Sequence, residues 1–264
     1  MNLINTSTPP SVPAAKVAKD KPDLLQSGHH HLCGGCGHPV AIRVILEALQ
    51  ELDIVKQNIC LLSHGCAGTF ANNIDVDLTL SLHGRAPAVA TGMKRMRPDR
   101  IIWTLQGDGD MVSEGLAEIM HTAARGENIT CFLLNNGVFG DTGGQMTAAT
   151  VVGQRTKNTL EGRDAKYHGH PIPIAPILAT FPGVAYVARA SVYSAGAAAQ
   201  AKRAVLEAFK HQMAGNGFSL VEILTMCPTG WFIKTNEGPE YLQKTLEKNY
   251  PIEVLRDVNQ KAQA

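Results

Sequence analysis

The strongest constraint on the fold is a pair of short turns set one βαβ unit apart. Gly107-Asp108-Gly109-Asp110 closes the apolar run 101–106, and Asn135-Asn136 closes the run 129–134. The stretch between them predicts a helix over 113–125, stopped at Gly126. Two parallel strands and their crossover helix would place both turns at the carboxyl ends of the strands, where open α/β sheets bind ligands. The Asp108 carboxylate and the Asn136 amide oxygen are hard donors of the kind Mg²⁺ prefers, and Mg²⁺ usually shares its shell with substrate phosphates. A diphosphate bound through a cation is therefore the reading that uses both turns. The plainer reading is two surface turns, because Gly, Asp and Asn are common turn residues. A dinucleotide fingerprint would need glycine at position 112, which is Val112, and would set Asp108 against a pyrophosphate with no cation between them.

The rest of the chain alternates in the same way. Helices are expected over 39–52, opened by Pro39 at a tolerated first-turn position, and over 86–96, 195–213 and 239–248. Strands are expected over 58–63, 101–106, 129–135, 184–190 and 218–225. Strands alternating with helices predict an α/β fold: an open, mostly parallel sheet with helices on both faces. Residues 1–27, with Pro9, Pro10 and Pro13 among serines and lysines, read as an extended tail, and 28–264 as one domain. Residues 140–175 are rich in Gly, Thr and Pro without periodicity, and so long an irregular segment is usually functional or an interface. His29-His30-His31 reads as a solvated or interface turn, since adjacent histidines point in different directions.

Six cysteines divide into two groups. Cys33, Cys36, Cys66 and Cys227 lie in turns at the ends of expected elements, in Cys33-Gly-Gly-Cys36-Gly-His38, His64-Gly-Cys66-Ala-Gly68 and Met226-Cys227-Pro228. Cys60 and Cys131 sit in apolar runs, where a free cysteine is usually a small buried hydrophobe. Four thiolates suit Zn²⁺ or an iron–sulfur cluster. A structural zinc site usually has two local pairs, and here only one pair is local. A thioredoxin-like redox pair is a third reading. Disulfides are disfavoured, because no secretory signal is present.

Together these motifs resemble the thiamine-diphosphate-binding β subunit of the 2-oxoacid:ferredoxin oxidoreductases. The resemblance runs from about Cys33 to Trp231 through CGGCGH (33–38), HGCAG (64–68), LHGRAPAVATG (82–92), GDGD (107–110), NNGVFGDTGGQ (135–145), GQRT (153–156), GRD (162–164) and CPTGW (227–231). It implies three cofactors: thiamine diphosphate, Mg²⁺ and one [4Fe–4S] cluster held by Cys33, Cys36, Cys66 and Cys227. It implies Mg²⁺ on Asp108, Asn136 and the main-chain carbonyl of Val138. It lines the cofactor with His64, Gly65, Cys66, Ala67, His83, Gly109, Asp110, Gly140 and Asp141, and makes His83 the candidate catalytic residue of this chain. From the residues alone, His83 reads equally well as the capping residue of a helix-start turn. Arg85 reads by default as pairing with a surface acid. Two positions depart from the family pattern. Gly34 stands where proline is common, which loosens the turn without removing a ligand. Asp141 adds a carboxylate beside the cofactor and bears on the substrate preference.

The implied reaction is oxidative decarboxylation of a 2-oxoacid with coenzyme A to acyl-CoA and CO₂, with electrons leaving through the cluster to ferredoxin or a ferredoxin-like subunit. GQRT, GRD and CPTGW lean toward the branched-chain or 2-oxoglutarate type. The carboxylate that activates the aminopyrimidine is expected on a partner α subunit, with γ and δ subunits as further partners, so this chain would be catalytic only in a hetero-oligomer. A non-redox thiamine decarboxylase or synthase would leave four thiols unused. A non-catalytic iron–sulfur or zinc module would leave Asp108 and Asn136 unused. At net charge +1 the chain has no electrostatic basis for binding nucleic acid or an anionic membrane. With no apolar stretch near the length of a span and no signal h-region, it reads as cytoplasmic. At 264 residues with 44% apolar composition it can bury a sizeable core.

Overall fold

The computed structural model describes residues 21–26 and 30–259. In chain order the elements are α1 (His38–Glu51), β1 (Asn58–Leu62), β2 (Leu78–Leu80), α2 (Ala86–Met96), β3 (Ile101–Gly107), α3 (Leu116–Ala124), β4 (Thr130–Asn135), β5 (Val138–Phe139), β6 (Gln145–Met146), α4 (Ala165–His168), α5 (Ile174–Ala179), β7 (Val184–Ser191), α6 (Ala195–Met213), β8 (Phe218–Leu224), α7 (Pro228–Trp231), α8 (Gly238–Tyr241) and β9 (Val254–Asp257). Seven strands form one sheet in the order β2-β1-β3-β4-β8-β7-β9. All pairings are parallel except that of β9, which runs antiparallel to β7.

The central strands are apolar throughout because both faces are covered. In β3, Trp103 and Leu105 face the core under α1 and α6, while Ile102 faces the core under α2, α3 and α5. Phe132 and Leu134 of β4 take the first face, Cys131 and Leu133 the second. Trp103, Phe132 and Phe209 form an edge-to-face triad with centroids 5.3–6.3 Å apart. Each such side chain contributes roughly 1.5–3 kcal/mol by burial. The Trp103 indole N–H, which would otherwise be stranded in this core, donates to Asn58 Oδ1 at 3.0 Å. Cys60 and Cys131 are fully buried in the two cores.

Strand order reverses at β1, with β2 on one side and β3 on the other. The carboxyl ends of β1 and β3 therefore diverge into a crevice, the topological position at which such sheets take ligands. The helix expected over 113–125 is divided in the structure. A π-helical turn, Gly109–Glu114, comes first, and α3 begins only at Leu116. The division falls at Gly115, where the loop carrying Gly84 crosses so closely that a Cβ would lie 2.4 Å from the Gly84 carbonyl oxygen.

The expected last helix is likewise split, into α8 and a π-helical turn, Leu242–Glu247. Residues 21–26, expected within the extended tail, instead form a turn, closed by Leu25 N donating to Pro22 O at 2.9 Å, that is attached to the domain. Leu24 is buried, Asp75 N donates to Leu24 O, and Gln26 N donates to Asn73 O. His29 lies outside the described residues. His30 is exposed and its ring lies 5.5 Å from that of Phe70. Among the described residues no helix is long and apolar enough to cross a membrane.

The segment 140–175 is irregular apart from β6, α4 and the first residues of α5. One side chain organises it. Arg163 is 5% exposed and donates to six carbonyls: Nη1 to Thr147, Ala148 and Thr150, Nη2 to His168 and His170, and Nε to Gly169. A planar guanidinium with five donors can gather a loop in this way, whereas an ammonium cannot.

Candidate active site

Asp108 follows β3 and is 1% exposed. Thr147 Oγ1 donates to its Oδ2 at 2.6 Å, and the Asn136 backbone N–H donates to its Oδ1 at 3.2 Å. Both donors are neutral, and burial outweighs them, pushing the carboxyl up to about 7. A buried carboxylate held only by neutral donors is well suited to a hard cation. Asn136 closes β4. Its Oδ1 accepts the Val138 N–H at 3.0 Å, which folds the turn and leaves a second lone pair. The two Asn residues divide the work. Asn135 is fully buried, donating from Nδ2 to Glu222 Oε1 at 2.7 Å and accepting the Gly137 N–H on Oδ1 at 3.0 Å.

Asp110 lines the same crevice, but its oxygens are engaged with the protein. It accepts from Ser63 Oγ at 2.8 Å, from Gln106 Nε2 at 2.7 Å and from the Gly84 N–H. His83 Nδ1 lies 3.2 Å from its Oδ1. Asp110 thus ties the ends of β1 and β3 to the 81–84 loop, with His83 beside it, while burial raises its carboxyl. His64 Nδ1 lies 2.6 Å from the Ser81 carbonyl oxygen. That oxygen can only accept, so Nδ1 donates to it. Arg85 pairs with Glu118 on the surface.

These residues surround a cavity of about 160 Å³. It is lined by His64–Ala67, His83, Gly107–Asp110, Asn136 and Val138–Thr142, together with His38. Its acids are Asp108, Asp110 and Asp141, and no glutamate lines it among the described residues. Sequence reasoning did not single out His38, Phe139 or Thr142 in this lining, nor Thr147 behind Asp108. His38 could have been found from its place next to the Cys-x-x-Cys turn. Thr147 could not, because nothing local marks which threonine of an irregular segment reaches back 39 residues.

A second cavity, of about 170 Å³, shares Cys66, Asn136, Gly140 and Asp141 with the first. Cys33, Cys36, Cys66 and Cys227 all line it, with His31 at its rim. The Cys33–Cys36 segment is a turn closed by Cys36 N donating to Cys33 O at 3.1 Å, with Gly35 at φ 80°, as the third position of a type II turn requires. Burial pushes the Cys36 thiol up to about 11 and those of Cys66 and Cys227 up to about 12. Repulsion between them adds to the effect, with Cys66 also opposed by Asp141. Four thiols gathered this closely would ionise together only around cationic charge. Gly140 is the wall between the cavities. A Cβ there would sit 3.1 Å from Cys66 Sγ and 3.6 Å from Cys227 Sγ.

Residues 63–223 match the model of the thiamine pyrophosphate enzyme C-terminal TPP-binding domain. Ketoisovalerate oxidoreductase subunit VorA of Methanothermobacter thermautotrophicus is 36% identical over 86% of this chain and 48% of its own length. The chain thus spans about half of that relative. 2-Oxoglutarate synthase subunit KorB of Archaeoglobus fulgidus is 32% identical over 83% of this chain and 76% of its own. A solved 2-oxoglutarate:ferredoxin oxidoreductase from Magnetococcus marinus, with 2-oxoglutarate, coenzyme A and succinyl-CoA bound, superposes at TM-score 0.73 and 28% identity, covering 87% of this chain and 74% of that one. The chain belongs to the thiamine pyrophosphate-binding domain family, as a homologue of the β subunits of 2-oxoacid:ferredoxin oxidoreductases.

Proposed function

We propose that this chain is the cofactor-holding subunit of a 2-oxoacid oxidoreductase, which decarboxylates a branched-chain 2-oxoacid or 2-oxoglutarate and passes the electrons to ferredoxin or a ferredoxin-like subunit, with coenzyme A taking the acyl group. The observation that carries this reading is the shared wall. A cavity with the donors for a metal-bound diphosphate and a cavity lined by four thiols meet at Gly140, Cys66, Asn136 and Asp141. A non-redox decarboxylase would need only the first cavity, and an iron–sulfur or zinc module only the second.

Asp108, Asn136 and the Val138 carbonyl would hold Mg²⁺ against the diphosphate. Asp108 would supply the one negative charge among these donors. Cys33, Cys36, Cys66 and Cys227 would hold one [4Fe–4S] cluster. All four thiols line one cavity, and four thiolates suit such a cluster. Bound thiamine diphosphate supplies an ylid and a sink for the electron pair released on decarboxylation. His64, held by the Ser81 carbonyl, and His83, beside Asp110, both line that cavity, His83 as the candidate proton carrier. The activating glutamate and most of the coenzyme A site are assigned to partner subunits.

The test is co-expression of the chain with its partner, anaerobic purification, and assay of 2-oxoacid- and CoA-dependent reduction of a viologen dye. Turnover together with stoichiometric iron and thiamine diphosphate supports the reading. Thiamine diphosphate without iron, or full turnover by the chain alone, would overturn it.

A further inference from the structure

A charged pair sits in the middle of the sheet where no packing rule calls for one. Arg189 of β7 and Glu222 of β8 are 4% and 1% exposed. They are directly opposed in register, with Arg189 Nε donating to Glu222 Oε2 at 2.8 Å. Replacing a pair of this kind by apolar residues is often neutral or stabilising, because desolvation consumes most of the attraction. Stability is therefore a poor reason for its presence.

Its other contacts supply a better one. On the far side of β8, Glu222 Oε1 accepts from Asn135 Nδ2 at 2.7 Å. Asn135 in turn fixes the Gly137 N–H at 3.0 Å, and the adjoining Asn136 N–H reaches Asp108 Oδ1 at 3.2 Å. The contacts form a lateral chain across four neighbouring strands, β7, β8, β4 and β3, and end at the Asn136 backbone N–H and the Asp108 carboxylate that accepts from it. The chain is also anchored behind. Arg189 Nη1 donates to the Pro251 carbonyl at 2.9 Å, and its guanidinium lies 5.3 Å from the centre of the Tyr250 ring.

We propose that the buried Arg189–Glu222 pair is a positioning device for the metal–diphosphate site, which fixes the Asn135 amide and, through it, the geometry of Asn136 and Asp108. The proposal rests on the reading of that turn as the Mg²⁺–diphosphate site. Neither residue lines the cofactor cavity, so their hydrogen-bonded route to the turn runs through Asn135. A carboxylate suits the task because Glu222 can accept from both sides at once, which no apolar or purely donating side chain can do.

The test compares the wild type with R189M/E222L, with N135A and with the triple combination, each in the full chain purified with its partner subunit. Titration with Mg²⁺ and thiamine diphosphate gives the dissociation constant, and thermal melting of the cofactor-free protein gives stability. We expect R189M/E222L to melt within a few degrees of wild type yet bind the cofactor about tenfold more weakly, with kcat recovered at saturation. N135A should show the same weakening, and the triple variant should be no weaker than N135A, because all three residues act through one contact. Cofactor affinity within twofold of wild type in R189M/E222L, or additive losses in the triple variant, would overturn the proposal. Should R189M/E222L fail to fold, N135A decides alone, and unchanged affinity there overturns it. A wild-type complex that binds no thiamine diphosphate would instead refute the diphosphate reading itself.

Discussion

Arg163→Met removes the donor that six carbonyls share while keeping most of the side-chain volume. The three carbonyls on Nη1 belong to Thr147, Ala148 and Thr150, two of which are buried residues. A buried acceptor left without a partner costs about 1–3 kcal/mol. With partial relief by water on the outer carbonyls, the loss amounts to roughly 4 kcal/mol, comparable to the whole stability of a marginal domain. The β sheet does not depend on Arg163, so the loss should appear as local opening of residues 147–170 rather than global unfolding. Thr147 would then leave Asp108, and the Asp108 carboxylate would lose its shortest hydrogen bond. Hydrogen exchange resolved by peptide should show protection in 147–170 falling by two to three decades, with β3 and β4 unchanged, and Mg²⁺–thiamine diphosphate affinity falling about tenfold. Arg163→Lys keeps the charge but not the fork and should fall between the two. Unchanged exchange in the methionine variant would refute the assignment of Arg163 as organiser of the segment.

Cys66→Ala should abolish iron incorporation and visible absorption, whereas Cys131→Ala, in the core away from the thiol cavity, should retain both; iron content by metal analysis decides. The metal-free protein should lose about 4 kcal/mol as pH rises from about 4 to about 7, because the folded Asp108 carboxyl holds its proton to higher pH than the unfolded one and must ionise in a buried site. Mg²⁺ affinity should correspondingly climb about tenfold per pH unit up to about 7 and then level off, and Asp108→Asn, which melts without this pH dependence, is the control. Gly34→Pro should stabilise the cluster turn by about 0.5–1 kcal/mol. A Cβ at this position meets nothing within 4 Å, and the second position of a type II turn favours proline; a lower melting temperature would show the turn type to be misassigned.

Much of this architecture was legible in sequence because the parallel core strands carry unbroken apolar runs and end in marked turns. The strands from β1 to β8, apart from β2 and the β5–β6 hairpin, were readable for that reason. The two sheet edges were not. β2 has three residues among aspartates, and β9 mixes Val254 and Leu255 with Arg256 and Asp257, so neither carries a periodic signal. The break at Gly115 was hidden because its cause, the crossing of Gly84, is a contact between residues far apart in sequence. In the site, Asp108, Asn136 and the four turn cysteines announced themselves by type and position. Asp110 sits in the same motif, yet its carboxylate faces Ser63, Gly84 and Gln106, and no spacing rule tells a residue that lines a cavity from one whose charge is used behind it. Thr147, Glu222 and Arg189 were invisible for a simpler reason, since each acts across strands or across a long irregular segment.

The wall at Gly140 has a consequence for how electrons would leave. Two compartments separated by the thickness of one backbone need no aromatic stepping-stones and no side-chain relay between donor and acceptor. The wall also makes residue 140 a spacer: a Cβ there would meet the Cys66 and Cys227 sulfurs at 3.1 and 3.6 Å, so a larger residue would press first on the thiols.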